Sequence, residues 1–91
     1  MASIKIPTPL RAYTGGEAKV NVSGETVGAV LNNLIGEYPD LEQHLFNNGE
    51  LRSFVNVFVG NEDIRTLNGL ETPIDADTDL RIIPSIAGGH S

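Results

Sequence analysis

Polar and apolar residues alternate through Ser3-Ile4-Lys5-Ile6 and again through Ala18-Lys19-Val20-Asn21-Val22. Successive side chains of a strand point to opposite faces, so each segment predicts a strand with one buried face. Between them, Thr14-Gly15-Gly16 predicts a turn, because glycine accepts the positive φ that turns and bulges require. From Val27 the period changes. Val27, Val30, Leu31, Leu34, Ile35 and Tyr38 form one apolar stripe at helical spacing. Thr26 or Ser23 can cap the start of this helix, and Pro39 ends it by restricting Tyr38 and lacking a donor.

Leu41 to Phe46 are expected to add a short helical turn before Asn47-Asn48-Gly49 breaks the chain. Phe54-Val55-Asn56-Val57-Phe58-Val59 reads as the strongest strand, its valines on one face and Phe54, Asn56 and Phe58 on the other. Gly60-Asn61 turns the chain into the short strand Glu62 to Arg65, and Leu67 to Leu70 supplies another turn. Asp79 to Ile83 form the last strand, which Pro84 closes. Two strands, a helix and three strands suit a mixed α+β sheet of about five strands with one helix laid across it. The first and last strands then lie side by side in the middle, the β-grasp (ubiquitin-like) arrangement. Residues 1–84 are expected to form this domain and residues 85–91 a flexible tail.

Composition narrows the chemistry. The chain has 91 residues, one domain's worth, with 40% hydrophobic and 20% charged residues and a net charge of −6. The cations Lys5, Arg11, Lys19, Arg52, Arg65 and Arg81 read as scattered, so nucleic acid is not an expected partner. An acidic molecule would instead be steered toward basic partner surfaces. No run approaches the ~18 apolar residues that cross a bilayer, and no basic-then-apolar leader precedes the first strand, so the expected location is the cytoplasm. Cysteine is absent, which removes thiolate catalysis and disulfides.

Asp75, Asp77 and Asp79 have the spacing that opens a calcium loop, but Leu80 and Ile86 stand where its glycine and bidentate glutamate belong. They predict a solvated acidic turn. His44 and His90 have no partner at metal-ligand spacing, and His44 is expected at the surface of its helical turn. No nucleophile elbow or phosphate-cradling loop occurs. The chain is therefore expected to be no enzyme, with no bound cofactor and no metal.

Three segments carry a resemblance to a known family: Ser23 to Leu31, Phe54 to Arg65, and Ile82 to Gly89 with its terminal Gly88-Gly89. In these the chain resembles the ubiquitin-like sulfur carrier proteins, the group of the molybdopterin synthase small subunit and the thiamine sulfur carrier. Within that group it looks most like carriers of the O-phosphoserine-dependent cysteine synthase pathway. Asp77 departs from the family by standing where a glycine is common; aspartate tolerates left-handed backbone better than most residues.

The resemblance implies that the Gly89 carboxylate is adenylated by an E1-like adenylyltransferase/sulfurtransferase using ATP, then converted to a thiocarboxylate. A sulfur-accepting synthase, of cysteine or else of molybdopterin, thiamine or thiolated tRNA, would consume it. Glycine at 88 and 89 suits a tail that must enter another protein without side-chain clashes. A carboxylate joined to His90 is an amide and cannot be charged. The expectation is therefore that a JAMM-type zinc protease cuts between Gly89 and His90, removing His90-Ser91. The rival implication is a ubiquitin-like modifier conjugated to lysines through Gly89. Phe58 and Ile83, with Arg81, point away from the helix beside the tail, where they either form a docking patch or are covered by the chain's own loops.

Overall fold

The structure, a computed structural model, describes residues 1–84. Strand β1 (Ala2–Lys5) leads through a 3-10 turn at Thr8–Tyr13 to β2 (Lys19–Val22), followed by helix α1 (Val27–Glu37). A 3-10 turn at Pro39–Leu41 runs into the short helix α2 (Glu42–Leu45). Then come β3 (Phe46–Asn47), β4 (Glu50–Leu51), β5 (Val55–Val59) and β6 (Glu62–Asp63). Two 3-10 turns, Ile64–Thr66 and Gly69–Glu71, precede β7 (Asp79–Pro84).

The main sheet has the order β2-β1-β7-β5-β6, and β3 with β4 form a separate two-stranded hairpin. First and last strands do lie together: β1 pairs β7 in parallel, with Ile4 opposite Leu80 and Lys5 opposite Arg81. The outer pairings are antiparallel. A parallel neighbour at the centre requires a crossover, and α1 supplies it, laying its apolar face on one side of the sheet.

The alternation in each strand decides which side that is. Ile4, Val20, Val22, Val55, Val57, Leu80 and Ile82 are buried together with Val27, Val30, Leu31 and Leu34 of α1. Burying a side chain of this size stabilises by about 1.5–3 kcal/mol, so slipping one strand by a residue would reverse its faces at a cost no surface contact could offset. Thr26 caps α1, its hydroxyl oxygen accepting from the Ala29 amide at 3.1 Å. The preceding turn is tight. Gly24 has φ of +154°, and a Cβ there would stand 2.7 Å from the backbone nitrogen of Val30.

Four expectations need correction. The segment between β1 and β2 is not a plain loop, because Pro7 sets an extended entry and Thr8–Tyr13 coil into a 3-10 turn that buries Leu10. Asn47-Asn48-Gly49 does not merely break the chain: Asn48 (φ 56°) and Gly49 (φ 82°) both adopt the left-handed backbone of a two-residue hairpin turn, joining Phe46 to Leu51 and Asn47 to Glu50. Asp77 does not use left-handed backbone, since Asn48 is the only non-glycine residue with positive φ among the described residues. Pro84 is paired within β7, opposite Val55, rather than standing after the strand.

Candidate functional site

Strand β7 carries the centre of the sheet to Pro84, the last described residue. Gly88, Gly89, His90 and Ser91 lie outside the described residues, as does the expected cleavage point. The described part of the site is therefore the surface from which the chain leaves.

Inward residues of β7 and β5 are buried, so their alternates necessarily face the other side. Asn56 stands opposite Ile83 and Phe58 opposite Arg81. Phe58, Arg81 and Ile83 are thus brought together as expected. Ile83 is 40% exposed, which decides that loops do not cover the patch there. Phe58 is half-buried, its ring roofed by the Arg81 guanidinium 5.8 Å from the centroid. Arg81 also donates to the Gly60 carbonyl at 3.0 Å. The planar cation is held in place by a ring face and a turn carbonyl, which leaves its charge at the surface.

A second arginine does the same nearby. Arg52 lies over Phe54, 5.8 Å from the centroid, and donates through Nε to the Gln43 carbonyl at 3.0 Å. Arg65 ties this corner to the sheet, donating to Asn56 Oδ1 at 2.7 Å and to the Arg52 carbonyl at 3.0 Å. A groove of about 670 Å³ opens here, lined by Pro7, Pro9, Leu10, Gln43, His44, Arg52, Phe54 and Pro84.

His44 is not the surface residue expected from its short helical turn. It is half-buried, stacked on Tyr13 with ring centroids 4.3 Å apart, and its Nε2 is buried with no hydrogen-bond partner among the described residues. The 3-10 turn that delivers Tyr13 has no signature in the local sequence, so the stacking is not legible there.

The cations are not scattered either. Lys19 stands opposite Lys5, and Lys5 opposite Arg81, so three adjacent strands line up three positive charges in one row that continues through Phe58 to Asp63. Arg11, with Lys5, Arg81, Ile83 and Pro84, borders a depression of about 320 Å³ at the same end. No lysine or arginine falls between Lys19 and Arg52, the stretch that contains α1, so the helix side is left to carboxylates. Strand alternation alone puts Lys5 and Lys19 on the outward faces; their adjacency becomes visible only when strands distant in sequence are paired.

The acidic turn is as expected. Asp75 Oδ1 accepts from the Asp77 amide at 3.0 Å and from the Thr78 hydroxyl at 3.0 Å.

A helix-backed mixed sheet with its first and last strands paired in parallel at the centre defines a ubiquitin-like β-grasp protein. Residues 4–89 match the ThiS family, and the chain belongs to that family. Among similar proteins is the sulfur carrier protein CysO of Mycobacterium tuberculosis, 40% identical over 90 residues that span 96% of this chain and 97% of the relative. A chain in the crystal structure of the Amycolatopsis orientalis BexX/CysO complex superimposes with a TM-score of 0.90 at 35% identity, covering 98% of this chain and all of that one. Small archaeal modifier protein 1 of Methanosarcina acetivorans superimposes at 0.87, with 30% identity and coverage of 97% and 95%.

Proposed function

We propose that this chain is a sulfur carrier whose cargo rides on the main-chain carboxyl of Gly89, and that it serves cysteine biosynthesis. The observation that supports this best is the span of the family match. It begins in β1 and stops at Gly89, leaving His90-Ser91 beyond it.

The chemistry follows from a free end. Hydrolysis of the Gly89–His90 peptide bond by a JAMM-type zinc protease leaves a carboxylate on Gly89. Its oxygen displaces pyrophosphate from the α-phosphorus of ATP in an E1-like adenylating enzyme. A sulfide donor then displaces AMP from the acyl carbon, leaving a thiocarboxylate whose sulfur is a nucleophile toward the acceptor enzyme. ATP belongs to the activating enzyme. The chain itself supplies a slender tail and, in Phe58, Arg81 and Ile83, a docking face beside its root.

The test is pyrophosphate release from ATP by the activating enzyme, given either the chain ending at Gly89 or the chain retaining His90-Ser91. Release with the first and none with the second is the expected result, and equal release from both would contradict the role of Gly89. A second reading, conjugation to lysines of other proteins, is favoured by similarity to small archaeal modifier protein 3 of Haloferax volcanii, 36% identical over 64 residues. It predicts lysine adducts of slow electrophoretic mobility in place of sulfur transfer.

A further inference from the structure

Resting on that reading, we infer that the outward face of the sheet is a cationic docking surface selective for a protein partner that presents carboxylates around an apolar recess. This is the opposite polarity to the one the net charge of −6 would select.

Register carries the argument. Lys19, Lys5 and Arg81 occupy directly opposed positions on β2, β1 and β7. Opposed residues have Cβ atoms about 4.5–5.5 Å apart, and like charges placed so are destabilising. Asp79 lines the same depression as the three cations and Asp63 stands opposite Phe58, so two carboxylates offset part of the row and leave it net positive. Among the described residues no ion pair holds Lys5 or Lys19. Asp79 is opposite Ser3 and accepts the Ser3 hydroxyl's hydrogen bond, which leaves its charge in place. Arg81 is held by Phe58 and Gly60 in a way that keeps its charge presented. Three aligned cations against two carboxylates, beside an exposed Ile83, are what a counter-charged, apolar-centred surface would complete.

Position fixes what that surface belongs to. The patch borders Pro84, and five extended residues past Pro84 reach at most ~18 Å. A partner whose reactive centre holds Gly89 must therefore meet the patch with the rim of its entrance, not with the nucleotide inside. Charges at that rim sit within one or two Debye lengths (~8 Å each) at physiological salt, close enough to set encounter rate. Glu25, which precedes the Thr26 cap of α1, and Glu71, in the 3-10 turn packed on Gly28 of α1, are carboxylates of the helix side.

Two arms test the inference. In the first, association of the Gly89-ended chain with its adenylating enzyme is followed against salt. The double variant Lys5→Glu/Lys19→Glu should associate at least ~10-fold more slowly at low salt, with the gap closing at high salt. Glu25→Lys/Glu71→Lys, which shifts net charge as far in the other direction on the helix side, should change the rate less than ~3-fold. Faster association of the lysine variant, or a larger effect from the helix-side variant, would overturn the inference and leave the carrier reading standing. Failure of every form to be adenylated would instead strike the carrier reading.

The second arm needs no enzyme. Amide NMR of the full chain is recorded with a peptide of glutamates around one leucine, and with the matching lysine peptide. Shifts at Lys5, Lys19, Arg81 and Ile83 with the glutamate peptide alone are expected. Shifts elsewhere, none at all, or the same shifts with the lysine peptide would overturn the inference. So would tighter binding of an oligothymidylate to the same amides.

Discussion

Replacing Gly24 with alanine adds a single methyl group, yet the structure assigns it a large cost. A Cβ at this position would lie 2.7 Å from Val30 N, 2.8 Å from Val30 Cγ2 and 3.1 Å from the carbonyl carbon of Ala29. Two of these three atoms are backbone of α1, which cannot rotate aside. The φ of +154° adds strain of about 1–3 kcal/mol for a residue with a Cβ, and forced overpacking adds about 1–3 kcal/mol. Against this, alanine restricts the unfolded chain and returns about 0.4–1 kcal/mol. The expected loss is about 2–4 kcal/mol, a large part of the 5–15 kcal/mol that holds a small domain together.

Gly36→Ala is the matched control. Its site is helical, with ordinary φ and nothing within 4 Å of the added Cβ, so alanine should stabilise by about 0.5–1 kcal/mol. Urea and thermal denaturation followed by circular dichroism measure both. At 4–8 °C per kcal/mol, the midpoints should move apart by well over 10 °C. A Gly24→Ala loss below about 0.5 kcal/mol, or the same sign for both variants, would refute the close approach of this turn to α1. Because Gly24 lies on the helix side, adenylation per folded molecule should stay unchanged.

Other outcomes follow from single contacts. Thr26→Ala removes the cap on the Ala29 amide and should cost about 1 kcal/mol by the same denaturation assay, whereas Thr26→Ser should retain most of it. His44→Phe eliminates a buried, unpartnered nitrogen while keeping a ring against Tyr13, and should raise stability by about 1 kcal/mol; a loss of that size would mean that Nε2 has a partner in solution. Ile83→Ser alters a residue 40% exposed, so stability should move by less than about 0.5 kcal/mol. Its KM for adenylation should rise about tenfold, a loss near 1.4 kcal/mol of docking, with kcat unchanged.

The parts of this fold that were legible in the sequence are those specified by neighbours along the chain. The stripe from Val27, the Thr26 cap and the valines of β5 each state their structure within a dozen residues, and Gly15-Gly16 do adopt positive φ. The hairpin of Phe46 to Leu51 was missed although Asn48-Gly49 is a strong turn signal, because strands of two residues are too short to show alternation. The 3-10 turn at Thr8–Tyr13 has no apolar period to announce it. At the site, the outward aim of Phe58, Arg81 and Ile83 follows from alternation alone. The cation row does not, because it joins Lys5, Lys19 and Arg81 through pairings made only in the folded sheet, and composition could register nothing but the excess of carboxylates.

Where sulfur attaches decides between a carrier and a modifier. The direct measurement is the intact mass of the Gly89-ended chain after incubation with its adenylating enzyme, ATP and a sulfide donor, followed by fragmentation to locate the change. An increase of about 16 mass units, one sulfur for one oxygen at an activated acyl carbon, confined to the fragment ending in Gly89, is the predicted result. An unchanged mass under conditions that consume ATP, or a sulfur found anywhere but that terminal carboxyl, would contradict it.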